Sequence, residues 1–171
     1  MRLFAAVRPS AEALAHAAAA VDRVRATEPG PRWVPSERWH LTLAFYGDVD
    51  DRELPRLSRH IDRGLVDVPP MTLSLAGAGA FSRGAVWIGV DGDVEVLQRA
   101  AYGVAFEDRA YRPHLTVARL RGGTNPAGAV AALASYAGPP WTVSEVHLVR
   151  SQLGPRPTYD DIETWPLAAP S

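Results

Sequence analysis

Two short segments of the chain repeat one another: WHLTLAFYG at 39–47 and RPHLTVARL at 112–120 both carry His-Leu-Thr-x-Ala. Each segment alternates apolar and polar residues as a half-buried strand does, so residues two apart share a face. His40 and Thr42 therefore project together, as do His114 and Thr116, while the leucines between them point into a core. Any fold for this chain must bury both leucine faces and still present two imidazole–hydroxyl pairs. If the two strands are neighbours related by pseudo-symmetry, the pairs face a common cleft. Chance agreement of two of the five histidines at matched Leu, Thr and Ala offsets is on the order of one in a hundred for an ordinary composition.

Hydrophobic periodicity gives a coarse order for the rest. Residues 2–8 read as a strand, Ser10 as a cap, and Ala11–Arg25 as a helix with Leu14, Ala17, Ala18, Val21 and Val24 at helical spacing. The prolines and glycine of EPGPRWVPSER break that helix before the first motif strand. Leu54, Leu57, Ile61 and Leu65 mark a second amphipathic helix over 50–65. MTLSLAGAGAF and AVWIGVDG read as two strands joined by a tight turn at SRG, followed by a helix over 93–106. After the second motif strand come an Ala-rich helix over 125–136 and two strands, WTVSEVHLVRS and TYDDIETWPL. The expectation is four helices and about seven strands in a mixed α/β order with two comparable halves. No linker divides them, so residues 1–171 read as one domain.

Length and composition narrow the function classes. A chain of 171 residues with 47% apolar content can bury a sizeable core. No segment approaches a membrane span and the opening MRLFAAVRPS has too short an apolar run for a secretory leader, so cytoplasm is the expected compartment. Without cysteine there is no disulfide, thiol nucleophile or thiolate metal site. All eighteen basic residues are arginine against nineteen acids, a formal charge of −1 that argues against long duplex binding. It leaves room for a few arginines to hold one phosphate or an RNA end.

Two imidazoles near their unperturbed pKa of about 6.5 can divide a proton removal and a proton delivery between them at neutral pH. Two threonine hydroxyls beside them can donate to the non-bridging oxygens of an anion. Phosphoryl transfer depends mainly on positioning and charge stabilisation, so this set of groups suits a phosphodiester. A strained cyclic phosphate suits it best, because ring opening needs one activated water and one protonated ribose oxygen. A metal hydrolase is disfavoured, since the motifs offer no paired carboxylates at ligand spacing.

The paired motifs resemble those of the two-histidine (2H) phosphoesterases, in particular the RNA 2′,3′-cyclic phosphodiesterases historically called 2′-5′ RNA ligases. The resemblance runs nearly the whole length and includes MRLFAAVRPS, RWVPSERWHLTLAFYGDV, GAGAFSRGAVWIGV and VHLVRSQLGPRPTYDDIETWPL. It implies an α+β, bilobal, pseudo-symmetric fold of two antiparallel sheets flanked by helices around a central cleft. It also implies hydrolysis of RNA 2′,3′-cyclic phosphate ends to 2′-phosphates without metal or other cofactor, with a possible ligase side activity. Carried over by position, His40, Thr42, His114 and Thr116 are catalytic, with His40 as acid and His114 as base. The resemblance places Arg119 near the phosphate and Phe45 near a base or ribose. Strict alternation would turn both of these away from the histidines, so their roles require a bulge or twist in each strand. The FSRGA turn departs from many relatives, which bears on base preference rather than on chemistry.

Other features point less sharply. Gly-x-Gly in GAGAF leads into a turn and strand, unlike a dinucleotide fingerprint, which opens a helix. His16 and His60 read as solvated helix residues and His147 as structural. Trp33 could stack on an unpaired base or simply pack at the lip of the cleft, and Arg38, Arg112 and Arg150 flank the strands that would form it. The alternatives are a 2H enzyme for another cyclic nucleotide or sugar phosphate, and a binding module that senses RNA ends without turnover. The expected partner is an RNA end or nucleotide with a 2′,3′-cyclic phosphate. Nothing calls for more than a monomer, a membrane or an obligate protein partner.

Overall fold

A computed structural model describes residues 1–82 and 84–168. Its elements are β1 (Arg2–Val7), α1 (Ala11–Thr27), β2 (Arg32–Trp33), a 3-10 turn at Ser36–Arg38, β3 (Leu41–Asp48), α2 (Leu54–Leu65), β4 (Met71–Phe81) and β5 (Ala85–Gly92). They continue with α3 (Val94–Val104), β6 (Leu115–Arg119), α4 (Ala127–Leu133), β7 (Trp141–Val143), β8 (Glu145–Gln152) and β9 (Thr158–Pro166). The strands form two antiparallel sheets, β3-β1-β8-β9 and β2-β6-β5-β4-β7. The fold is α+β, with one motif strand in each sheet. Ser10 caps α1 as the sequence predicts, its hydroxyl accepting from the Ala13 N–H at 3.1 Å.

Nine strands stand among the described residues where periodicity alone indicated about seven. One addition is β2, a two-residue pairing with β6 inside the proline-rich stretch. The other comes from WTVSEVHLVRS, which is two strands in different sheets. Trp141, Val143, Val146 and Leu148 are all buried, and the three-residue step from Val143 to Val146 cannot be met by one alternating strand. The chain instead crosses between sheets at Ser144, leaving Ser144 and Glu145 exposed in succession.

Apolar side chains from both sheets and all four helices pack into one core, which holds the leucine faces of both motifs: Leu41, Leu43, Leu115 and Val117 are at most 4% exposed. The opposite face of the four-stranded sheet carries a separate small cluster of Phe4, Ala6 and Val149, with Tyr159 against it.

Helix α2 packs on α3, and α3 packs on β3. The helix pair meets at Gly64 and Gly103, where a Cβ on either residue would run into the other's carbonyl oxygen. Backbones approach this closely only when both residues lack side chains. We expect Gly103→Ala to push the two helices apart and to cost about 1–3 kcal/mol, the usual range for overpacking. Chemical denaturation would show this as a lower midpoint, and a midpoint equal to wild type would mean that the contact is not tight.

Candidate active site

The histidines stand just before their strands, each fixed by its own backbone. Nδ1 of His40 lies 2.8 Å from the Arg38 carbonyl, and Nδ1 of His114 lies 2.7 Å from the Arg112 carbonyl. A carbonyl only accepts, so Nδ1 carries the hydrogen in both rings and Nε2 is the nitrogen left for chemistry. The 3-10 turn at Ser36–Arg38 supplies the first of these carbonyls, and the extended Arg112–Pro113 segment supplies the second.

The two motifs lie across a cleft of about 290 Å³ lined by His40, Thr42, His114, Thr116, Arg119 and Arg38, with Phe81 and Tyr159 among the remaining walls. Both histidine–threonine pairs thus come together although their strands belong to different sheets. Each imidazole is framed by aromatic rings. Phe4 stacks on His40 at 4.7 Å and 29°, and Tyr159 meets it edge-on at 5.3 Å and 86°. Phe81 meets His114 edge-on at 4.9 Å and 89°.

A bulge in each strand brings the residue five positions after the histidine to the strand face that carries the threonine. The β1–β3 ladder pairs Ala6 with Thr42 and Phe4 with Phe45, slipping past Leu43. The β5–β6 ladder pairs Trp87 with Thr116 and Ala85 with Arg119, slipping past Val117. Phe4 and Ala6 share one face of β1, and Ala85 and Trp87 share one face of β5. Phe45 therefore lies on the face of Thr42, and Arg119 on that of Thr116. The bulge occupies the equivalent place in both motifs, three residues after the histidine.

The remaining predicted residues separate. Phe45 borders an adjoining hollow rather than the cleft, with the Arg2 guanidinium 4.9 Å from its ring centroid. Trp33 is not brought to the site. It pairs with buried Ala118, packs against the core, and donates its indole N–H to the Glu28 carbonyl at 3.0 Å. Its neighbour Val34 lines the cleft instead. Arg112 borders the adjoining hollow, whereas Arg150 pairs with Asp160 at 3.2 Å. His16 is exposed and contacts the Tyr136 hydroxyl at 2.8 Å. His60 is half-buried rather than solvated, because its ring stacks on Phe106 and its Nε2 meets the Ala105 carbonyl at 3.1 Å. His147 sits beside Asp161 and the Thr164 hydroxyl, each at 3.2 Å.

Sequence reasoning missed Phe4, Arg8, Phe81 and Tyr159. Arg8 makes a two-pronged contact with Asp161 at 2.8 and 2.5 Å. Burial holds the His40 pKa below its ordinary 6.5, and the positive charges of Arg8, Arg119 and His114 push the same way against the Arg38 carbonyl. The only signal for these residues was their presence in the opening, hairpin and tail segments; none lies in a motif. Among the described residues no group of three or more His, Asp or Glu side chains is placed to hold a metal ion, and no helix is long and apolar enough to cross a membrane.

Residues 13–155 match the model of the 2′-5′ RNA ligase superfamily. The chain belongs to that superfamily. It is 32% identical to a Methanothermobacter thermautotrophicus protein named RNA 2′,3′-cyclic phosphodiesterase, covering 89% of this chain and 91% of the relative. It is 31% identical to an Archaeoglobus fulgidus protein of the same name, covering 96% and 99%. Among solved structures, Escherichia coli LigT complexed with phosphate matches with a TM-score of 0.73 and 28% identity over 96% of each chain. A structure from Thermus thermophilus matches with a TM-score of 0.74 and 26% identity over 99% of each chain. The residues matched to the superfamily include both motifs.

The environment of His40 yields a pH prediction. Its folded-state titration lies below 6.5, so acid protonates the unfolded chain first and stability conferred by the neutral ring is lost as pH falls from 6.5 through the folded value. In Tyr159→Ala, water reaches the edge of the ring that Tyr159 covers, and the titration moves up towards 6.5. Imidazole proton shifts followed by NMR against pH would measure both, and an unmoved His40 would show that Tyr159 does not desolvate it.

Proposed function

We propose that the protein hydrolyses 2′,3′-cyclic phosphate ends of RNA to 2′-phosphomonoesters, without metal or other cofactor, with residues 1–171 acting as one domain. The observation that carries this reading is the pair of imidazoles facing one cleft, each with Nδ1 occupied by a backbone carbonyl. The names borne by the relatives support the substrate class.

In this reading the cyclic phosphate lies between the histidines. Thr42 and Thr116 donate hydrogen bonds to its non-bridging oxygens, and Arg119 neutralises its charge. One histidine takes a proton from water as the water oxygen bonds to phosphorus. The bond from phosphorus to O3′ breaks in line, and the other histidine gives O3′ its proton, leaving the phosphate on O2′. A 5′-hydroxyl in place of water would complete the same step as 2′-5′ ligation. Family resemblance makes His40 the acid and His114 the base. Burial favours the neutral form of His40 in the resting protein, so as an acid it acquires its proton as the anionic phosphate arrives.

The direct test is incubation of a defined oligoribonucleotide ending in a 2′,3′-cyclic phosphate, with EDTA present, followed by location of the product phosphate. A 2′-phosphate is expected. A 3′-phosphate, or activity that needs a divalent ion, would contradict the reading, and binding without turnover would favour an RNA-end sensor. His40→Ala and His114→Ala should each lower turnover by about 10²–10⁴-fold, with Thr42→Ala and Thr116→Ala losing less.

Sulfur at the 3′ bridging position assigns the two roles, since a thiol-like leaving group scarcely needs protonation. On such a substrate His40→Ala should recover much of its lost rate and His114→Ala should stay slow. The opposite rescue would make His40 the base.

A further inference from the structure

The face of the four-stranded sheet that carries the first motif also carries a third histidine. The register sets Thr42 beside Ala6, Ala6 beside His147 and His147 beside Thr164, and residues paired directly across a sheet share a face. A bulge at Ile162 brings Asp161 to that face as well, because the β8–β9 ladder pairs Leu148 with Glu163 but Val149 with Asp161. Asp161 and Thr164 therefore both stand 3.2 Å from Nδ1 of His147, whose side chain is 12% exposed and whose Nε2 faces Glu145 at 3.6 Å. The cluster ends at Arg8, gripped by Asp161 in the two-pronged contact. A planar guanidinium matched to a carboxylate in this way is fixed in place.

That place is beside His40. The β1–β3 pairs run Ala6–Thr42 and Val7–Leu41, and the next step sets Arg8 opposite His40. Both side chains reach across to β9, the imidazole to Tyr159 and the guanidinium to Asp161. Tyr159 and Asp161 are two residues apart on one face, about 7 Å along the strand. In the other sheet the same step past Ile88–Leu115 leads to Gly89, which offers His114 no charge. The groups around His40 are Arg8 from β1, Tyr159 from β9, Arg119 and His114 from the β6 side and Arg38 from its own turn, with no acid among the described residues lining the cleft. Burial does most to disfavour the His40 imidazolium, and among the charges Arg8 comes first.

We propose that Arg8 is a positioning residue for the reaction: held by Asp161, which His147 braces, its fixed positive charge keeps the His40 imidazole without a proton until an anion enters the cleft, and so sets apart two histidines whose motifs are nearly alike. The proposal rests on the reading of the histidine cleft given above. Arg8 is not part of the cleft wall and acts through His40. A negatively charged ligand between the histidines offsets the Arg8 charge, so a proton from solvent reaches His40 together with the phosphate.

The test follows the imidazole resonances by NMR against pH in wild type, Arg8→Met and Arg8→Lys, with and without sulfate, which stays dianionic throughout. Methionine keeps the bulk that shields the ring and removes the charge, whereas lysine keeps the charge and loses the planar fork. The His40 titration should rise towards 6.5 in Arg8→Met, stay near wild type in Arg8→Lys, and rise in wild type when sulfate is added, with His16 as an internal control. On a 2′,3′-cyclic phosphate substrate, the limb of the kcat/KM profile that follows His40 should move to higher pH in Arg8→Met together with the NMR curve. An unmoved His40 in Arg8→Met would overturn the proposal and leave the cleft chemistry standing. Equal rises in both variants would mean that Arg8 acts by packing, and a sulfate-insensitive His40 would mean that no anion offsets its charge; either would overturn the proposal as well. A moved titration with an unmoved rate profile would take His40 out of the chemistry, and the cleft reading would fall with the proposal.

Discussion

Burial of the leucine between histidine and threonine governs the geometry of each motif. Leu41 and Leu115 have no exposed surface and belong to one core. A one-residue slip of either strand would carry that leucine to the cleft and the His-x-Thr pair into the core, at a cost of roughly 1.5–3 kcal/mol for the exposed leucine alone. The core thereby anchors the face that carries the His-x-Thr pairs without touching it. The same hydrophobic constraint, applied once in each sheet, turns two sequence motifs into two facing imidazoles.

Anchoring places the histidines, and local backbone then sets their chemistry. In both motifs the carbonyl two residues earlier binds Nδ1, which fixes the tautomer and aims Nε2 away from the chain. The environments differ beyond that shared contact. His40 has Phe4 stacked on one face and Tyr159 against its edge, whereas Phe81 stands edge-on to His114 and also walls the adjoining hollow. Near-identical motifs thus acquire different surroundings, and the division of acid and base work proposed above calls for such a difference.

Elements with strong local signals were legible. The β4–β5 hairpin follows the expected boundaries 71–81 and 85–92, because its alternation is long and a Gly-containing turn joins it. The helices appear where expected, with shorter ends for the second, third and fourth. Less legible was the crossing at Ser144, although two consecutive polar residues between buried Val143 and Val146 do record it. Trp33 illustrates the converse. Its type suited base stacking, yet its pairing with Ala118 turns it to the core and gives the cleft to Val34.

The sequence by itself determined the pairs His40–Thr42 and His114–Thr116 as shared faces, because a strand's period of two is a property of the local backbone and needs no partner. It likewise determined which residues would be buried between them. Only the tertiary structure decided that the two strands would lie in different sheets and still face one cleft. It also decided that bulges past Leu43 and Val117 would bring Phe45 and Arg119 to the threonine faces of their strands, and that Phe4 and Tyr159 would frame His40. Bulges and sheet order arise from the register between strands distant in the chain, and no window of local sequence contains that information.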